Sequence, residues 1–297
     1  MIKKVLVAGA GVVGSEIGFQ CAAHGLEVVM HDISPQSLAT SRESHAEFAK
    51  IFRAKGWLTE SQVQQVFSRL SYESDIAKAT VDVDIVSESV NESLEVKKAT
   101  YIALSQHCPP KSIFTTNTST MLASELAKFV DRPSRFLACH VARPVWDGPM
   151  LEIMPHEGTD PGLVKQLIDF AGQVGLVPIL LNKEQAGYVS NFIIASFITS
   201  ALDLVQRGVA SFEDVDRVWM IGAAAPIGPV GMMDRMGLGT VYNGLMNLVE
   251  SAGRSELRPA ASYLKDNFLD QGKLGVRSGE GFYSYPNPAF LQEGFLK

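Results

Sequence analysis

From Ile2 to about Lys183 the chain alternates short apolar runs with stretches of helical periodicity. VLVAG (5–9), EVVMHD (27–32), VDIVSE (83–88), SIFTTN (112–117), FLACHV (136–141) and LVPILL (176–181) read as strands separated by helices. That alternation builds βαβ units, and near-continuous apolar strands belong to a parallel sheet covered on both faces. Between the second and third of these strands lies a long polar insert, residues 35–66. It reads as two helices broken near Lys55-Gly56, a hairpin expected to project beyond the sheet. After Lys183 the strand pattern stops, and helices are expected over 184–207, 211–222, 230–250 and about 256–270. Ser211-Phe212-Glu213-Asp214 makes a capping-box-like start for the second of these, and Gly208 terminates the first. The expected architecture is therefore α/β: a doubly covered parallel-sheet domain over 1–183, followed by an all-helical domain over 184–297.

Composition narrows this little. A chain of 297 residues, 46% hydrophobic and 20% charged, suffices for about two domains with substantial cores. A formal net charge of -6 argues against a generally basic surface and so against a nucleic-acid partner. Cys21, Cys108 and Cys139 are odd in number and lack metal-ligand spacing, which suggests reduced thiols, no disulfide framework and no metal site. MIKKVLVAGAG enters a strand at once, with no long apolar region leading to a small-residue cleavage site, so a cytoplasmic protein is expected. The nearly uncharged run Ala186 to Leu202 is short for a membrane span and carries Ser190, Asn191, Ser196 and Thr199; it reads as a buried helix.

Chemistry enters first at Gly9-Ala10-Gly11-Val12-Val13-Gly14, which follows the first strand and opens the first helix. Gly9 allows the tight turn, Gly11 lets backbone approach a pyrophosphate, and Gly14 lets helix pack on strand, while the helix N-terminus favours negative charge. The second strand ends in Asp32, 18 residues beyond Gly14, where a carboxylate can accept from ribose hydroxyls and would repel a 2′-phosphate. NAD is the expected cofactor. The alternative is a glycine-rich turn that binds no dinucleotide.

Ligands of open α/β sheets sit at the carboxyl ends of the strands, and two later strand ends are polar: Asn117-Thr118-Ser119 and His140. Oxidation of an alcohol by a nicotinamide needs a base for the hydroxyl proton, and histidine titrates in the useful range. Glu152 follows twelve positions later between Leu151 and Ile153, and Pro144, Gly148 and Pro149 suggest a turn that folds the two segments together. Glu152 can then hold the imidazole's other nitrogen. The competing reading is a hydrogen-bonded core histidine with Glu152 as a strand-edge charge, and Ser119 as a turn residue.

GAGVVG, Asp32, VSESV (86–90), TTNTSTMLASELA (115–127), His140-x-x-x-Pro144, Leu151-Glu152-Ile153, AGYVSN (186–191), GVASFEDVD (208–216), PIGPVGMMDRMGL (226–238) and LGVRSGEGFYSY (274–285) together resemble the 3-hydroxyacyl-CoA dehydrogenase family. The resemblance runs from about residue 3 to 285. It implies a Rossmann-type NAD-binding domain, an all-helical C-terminal domain and a homodimer formed chiefly through the latter. It implies His140 as general base, Glu152 as its partner, and Ser119 and Asn191 as contacts to the substrate oxygen. Cofactor contacts are implied at Gly9, Gly11, Gly14, Asp32, Glu88, Ser93, Asn117, Ser119 and Arg277. Lys55, on the helical hairpin, matches a basic contact to CoA, whereas Phe48 stands where a polar contact is common. Arg143 departs from the family's usual asparagine beside the nicotinamide; a guanidinium there would disfavour the imidazolium and attract a substrate carboxylate, or else turn outward to a carboxylate or the cofactor phosphates. The implied reaction is NAD-dependent interconversion of L-3-hydroxyacyl-CoA and 3-ketoacyl-CoA. Dehydrogenation of a free 3-hydroxy acid, of sugar-acid or carnitine type, is the alternative, and an NAD-binding regulatory protein on the same scaffold is a third reading.

Overall fold

The computed structural model describes residues 2–251 and 253–297. In chain order the first unit runs β1 (Lys4–Ala8), α1 (Val12–Ala23), β2 (Glu27–His31), α2 (Pro35–Ala54), α3 (Glu60–Arg69), β3 (Leu70–Glu73), α4 (Ile76–Ala79), β4 (Ile85–Glu88), α5 (Leu94–His107), β5 (Ile113–Thr116), α6 (Ala123–Leu126), β6 (Phe136–Val141), β7 (Met150–Met154), α7 (Pro161–Gln173) and β8 (Val177–Leu180). The helix α8 (Tyr188–Gln206) then leads into α9 (Phe212–Gly222), α10 (Pro229–Met236), α11 (Leu238–Ser251) and α12 (Arg258–Asn267). Internal contacts divide the chain into Met1–Val189 and Ser190–Lys297.

The strands form one sheet of order β3-β2-β1-β4-β5-β6-β7-β8. Neighbours from β3 through β6 are parallel, and the order reverses between β1 and β4, where the chain leaves one side of β1 and returns on the other. Side chains alternate across each strand. Val5 and Val7 of β1 therefore face a core completed by α1, α2, α3 and α7, while Leu6 and Ala8 face one completed by α4, α5 and α6. Both faces are dry, which explains the unbroken apolar runs of the sequence.

Several expectations need correction. The sheet is not wholly parallel: β7 pairs antiparallel with β6, and β8 runs parallel to β7, so the last two strands oppose the rest. The strands β3 and β7 lay hidden in the sequence because LSYE and MLEIM are short and interrupted by polar residues. The helical hairpin does not project freely; Leu38, Ala49, Phe52, Val63 and Val66 bury themselves in the core beside α1. Finally, the stretch over 230–250 is two helices, because Gly237 at φ 88° interrupts it.

The helix α8 also departs from its reading as a buried helix. By length and composition it is apolar enough to cross a membrane, yet only 28% of its apolar window is buried within the protein. Phe192 and Ile193 are exposed on it. All three cysteines are free and buried, and burial pushes the Cys21 and Cys108 thiols up to about 12.

The second unit has its own core, with Leu202, Val230, Met233, Leu238 and Leu264 fully buried. Two buried aspartates organise it. Asp216 accepts from the Val230 and Gly231 N–H groups at the start of α10 (2.7 and 2.9 Å) and from the Tyr283 hydroxyl (2.9 Å). Asp234 accepts from the Phe282 and Tyr283 N–H groups and the Tyr285 hydroxyl, at 2.9 to 3.1 Å. The GEGFYSY segment is thereby fastened to α9 and α10, and a Cβ on Gly281 would lie 2.1 Å from an Asp234 carboxylate oxygen.

His45 on α2 fixes the hairpin to α1. Its Nε2–H donates to the Ser15 carbonyl at 2.9 Å and its Nδ1 accepts from the Tyr72 hydroxyl at 2.6 Å, so the ring is held neutral. Burial lowers its pKa from 6.5 to about 4, against the opposing pull of the Ser15 carbonyl. The unfolded chain takes up this proton first as pH falls, so the contribution is complete above about pH 6.5 and disappears through about pH 4. The shift corresponds to about 3 kcal/mol. Urea denaturation between pH 7.5 and 4 is expected to show a decline that His45→Gln flattens; parallel pH profiles for the two proteins would contradict it.

Candidate active site

The glycine loop lies at the carboxyl end of β1, beside the point where strand order reverses. Gly9 has φ 105°, and a Cβ there would meet the Ser89 carbonyl oxygen at 2.5 Å. A Cβ on Gly14 would fall 2.0 Å from the Gly9 carbonyl oxygen. Around Gly11 there is open space, and α1 starts with neither a side-chain cap nor an acidic residue in its first turn. Its terminal N–H groups thus have no side-chain acceptor, the arrangement that a pyrophosphate fits. Asp32 braces the loop, accepting from Ala10 N–H at 3.0 Å and from Ser34 N–H at 2.9 Å. These residues fit a dinucleotide.

The end of β4 carries a buried polar knot. Glu88, fully enclosed, accepts from Lys97 Nζ (2.8 Å), the Thr116 hydroxyl (2.7 Å), the Tyr101 hydroxyl (3.0 Å) and Val90 N–H (2.9 Å). A carboxylate out of water is tolerable only with such partners. Lys97 also reaches Glu92 at 3.1 Å. Glu92 in turn accepts from the Ser119 and Thr120 N–H groups (2.9 and 3.1 Å) and from the Thr118 and Thr120 hydroxyls, shaping the turn that presents Ser119. Although burial acts the other way, those hydroxyls and the Lys97 ammonium hold its carboxyl below the ordinary carboxylate range. Asn117 accepts from Val141 N–H at 3.0 Å, tying this turn to the end of β6. Ser93 caps α5 without a side-chain bond to it.

In the β6–β7 ladder His140 and Glu152 stand directly opposite one another. Cross-strand partners share a face, so their side chains meet: His140 Nδ1 lies 3.0 Å from Glu152 Oε2. The other Glu152 oxygen accepts from Val189 N–H, in the first turn of α8, at 3.0 Å. With Glu152 accepting at Nδ1, the Nε2 lone pair faces outward, and the Ser119 hydroxyl lies 3.2 Å from it. Tyr188 stacks on the imidazole, ring centroids 4.4 Å apart and planes 12° apart, and its hydroxyl donates to the Thr118 carbonyl at 2.9 Å.

Ser119, His140 and Glu152 are thus brought together. Arg143 turns away to Glu16 on α1, with two contacts of 2.9 and 3.2 Å, and Val145 N–H completes the same carboxylate at 3.2 Å. Lys55 is already paired with Asp147 and lies over the Trp57 ring at 4.4 Å. Phe48 joins an aromatic cluster, 4.9 Å from Trp146. Asn191 and Arg277 belong to the second unit, on α8 and on an exposed turn near the C-terminus. Sequence reading missed Glu16, Glu92, Lys97 and Tyr188. Lys97 had a signal: it shares the inward stripe of α5 with Tyr101 and Leu104, and a lysine on an apolar stripe needs a carboxylate.

A dinucleotide-fitting loop in the same sheet as a paired imidazole and carboxylate and a hydroxyl is the make-up of a dinucleotide-dependent oxidoreductase. The particular family follows from comparison: residues 4–185 match the model of the 3-hydroxyacyl-CoA dehydrogenase NAD binding domain, and residues 187–285 that of the family's C-terminal domain. The chain belongs to the 3-hydroxyacyl-CoA dehydrogenase family, with NAD as its cofactor. It is 31% identical over 284 residues to a probable 3-hydroxybutyryl-CoA dehydrogenase of Bacillus subtilis, covering 96% of this chain and 98% of the relative. It is 32% identical over 292 residues to the mitochondrial hydroxyacyl-coenzyme A dehydrogenase of Rattus norvegicus, covering 96% and 92%. Among solved structures, a diketoreductase described as catalysing dicarbonyl compounds superposes with a TM-score of 0.90 at 39% identity, covering 96% of this chain and 99% of that one.

Arg143 gives a structural test. Only 5% of the Glu16 side chain is exposed, and Arg143 is its cation. Arg143→Asn should leave a buried carboxylate with the Val145 N–H as its remaining partner among these contacts, costing about 1–3 kcal/mol. Urea denaturation is the check, and unchanged stability would show that Glu16 does not depend on this pairing.

Proposed function

We propose that the protein interconverts a 3-hydroxyacyl and a 3-ketoacyl group by NAD-dependent hydride transfer, with His140 as general base. The observation that carries this is the Ser119–His140–Glu152 chain, 3.2 and 3.0 Å long, at the carboxyl end of β6. When bound, NAD takes up or supplies the hydride at the substrate's C3. His140 Nε2 accepts the hydroxyl proton during oxidation and returns it during reduction. Glu152 keeps Nδ1 protonated and stabilises the imidazolium. Ser119 and Asn191 donate to the C3 oxygen as charge gathers on it. Asp32 accepts from the adenosine ribose, and the N–H groups around Gly11 hold the pyrophosphate, with Ser93, Asn117 and Arg277 as further cofactor contacts; Arg143, paired with Glu16, is left out of this set. Glu88 serves by shaping that wall.

L-3-hydroxyacyl-CoA and 3-ketoacyl-CoA are the first substrate pair. A second reading, a 3-hydroxy compound that is not a thioester, is favoured by the Lys55–Asp147 pair, which occupies the cation expected to meet CoA, and by the similarity to the diketoreductase. NADH consumption with acetoacetyl-CoA and with a β-diketo ester separates the two. His140→Gln should abolish turnover of both while leaving NADH binding intact; equal turnover would remove His140 from the mechanism. Asp147→Asn frees Lys55 and should lower KM for the thioester by about threefold, the scale of an exposed ion pair, without affecting the diketo ester. If it changes neither, the pair is not what weighs against CoA.

We also infer a homodimer through the helical unit. Phe192, Ile193, Val218, Trp219 and Ile221 are exposed on α8 and α9, with Trp219 at 4.2 Å from Phe197. Phe197, Val218 and Trp219 line one apolar concavity, and exposed apolar surface of this kind is a common interface signature. Sedimentation velocity should give a dimer that Trp219→Glu converts to monomer, and a wild-type monomer at micromolar concentration would refute it.

A further inference from the structure

The segment Gly187-Tyr188-Val189 is where the chain enters α8, and it contacts His140, Glu152 and the residue before Ser119. Gly187 and Tyr188 both adopt the left-handed backbone region, with φ 78° and 54°. For Gly187 that region is accessible, but a bulky residue rarely adopts it. Tyr188 is also fully buried, at 1% exposure. A conformation unfavourable for its backbone persists where the surrounding structure over-determines it, and such positions gather at functional sites.

The surroundings are specific. The Tyr188 ring lies nearly parallel to the His140 imidazole, and its hydroxyl donates to the carbonyl of Thr118, the residue before Ser119. Burial raises the Tyr188 phenol well above its ordinary range, so the O–H remains a donor. The next residue, Val189, gives its N–H to Glu152. One turn of chain therefore restrains the plane of the imidazole, the turn bearing the hydroxyl and the orientation of the carboxylate.

We propose that Tyr188 is a positioning residue whose two ends do separate work: the ring fixes and electrostatically supports His140, and the hydroxyl holds the Ser119 turn in register with it. This rests on His140 acting as base. An imidazolium above a phenol face is favoured by the ring's quadrupole. The charged groups bearing on His140 are Glu152 from β7 and Glu92 through the Ser119 turn, while Arg143 on its own strand's loop is paired with Glu16. Replacing the ring by an aliphatic side chain keeps the imidazole dry but removes the quadrupole. Replacing tyrosine by phenylalanine keeps the ring and removes only the bond to Thr118.

Tyr188→Phe and Tyr188→Leu therefore separate the two functions. In histidine-labelled protein, with His140→Gln assigning the signal, 15N NMR titration should give an unchanged His140 titration in Tyr188→Phe. In Tyr188→Leu its midpoint should be lower by about half a pH unit or more, the scale of a partly desolvated cation–π contact. Tyr188→Phe should reduce kcat on the diketo ester or thioester by about fivefold, as for one lost hydrogen bond, with NADH affinity unchanged. Tyr188→Met takes the place of Tyr188→Leu if the latter does not fold. The proposal falls if the ring-free variant titrates as wild type does, or if Tyr188→Phe loses only thermal stability. If His140→Gln remains active, the general-base reading fails; if it is inactive and the Tyr188 variants behave as wild type, only the present inference fails.

Discussion

The reversal of one strand is the constraint on which the site depends. Had β7 joined the sheet in the parallel sense of β1 to β6, a crossover would have separated it from β6 by a helix, and no residue of β7 would lie across from His140 at so short a chain distance. A turn of eight residues between β6 and β7 instead lays Glu152 against His140 in the ladder. Strand registers slip only at the cost of exposing one whole face. Cys139, Val141, Leu151 and Ile153 are all buried on the opposite face of these strands, so the hydrophobic core fixes the register that pairs Glu152 with His140.

The polar groups around this pair are arranged by the same logic of burial. Glu88 and Lys97 are almost wholly enclosed, and each is tolerable because the other is there. Their network continues through Glu92, which holds the backbone N–H groups of the turn that presents the Ser119 hydroxyl. On the other side Glu16 anchors the β6–β7 loop through Arg143 and Val145. A helix of the nucleotide cradle and the loop beyond His140 are thereby joined by one carboxylate.

Much of this was readable beforehand, for stated physical reasons. Dry strands are apolar throughout, so VLVAG, EVVMHD and FLACHV announced themselves, and Gly9 and Gly14 are demanded by backbone contacts that no Cβ could survive. His140 and Glu152 were legible as a pair because prolines and glycine between them called for a turn. The reversed β7 was not, since five residues with a central glutamate do not read as strand until their partner is known. Arg143 illustrates the same limit: its character was plain, but its direction depends on Glu16, 127 positions away in sequence. Tyr188 was hidden for a different reason, because an aromatic residue at the start of an apolar helix reads as core, and its stacking on His140 is a fact of tertiary structure.

The proposed choice between thioester and non-thioester substrates turns on how charge is already paired. Lys55 pairs with Asp147 and Arg143 with Glu16, so two of the three cations that sequence reading assigned to ligands have carboxylate partners. A polyanionic carrier would have to compete with those partners, at a cost that is small for the exposed Lys55 pair and larger where Glu16 is buried. A neutral dicarbonyl compound meets no such competition. It would draw its recognition from the C3 oxygen and from apolar contact, and Ser119 and His140 are of the chemistry that the first of these requires.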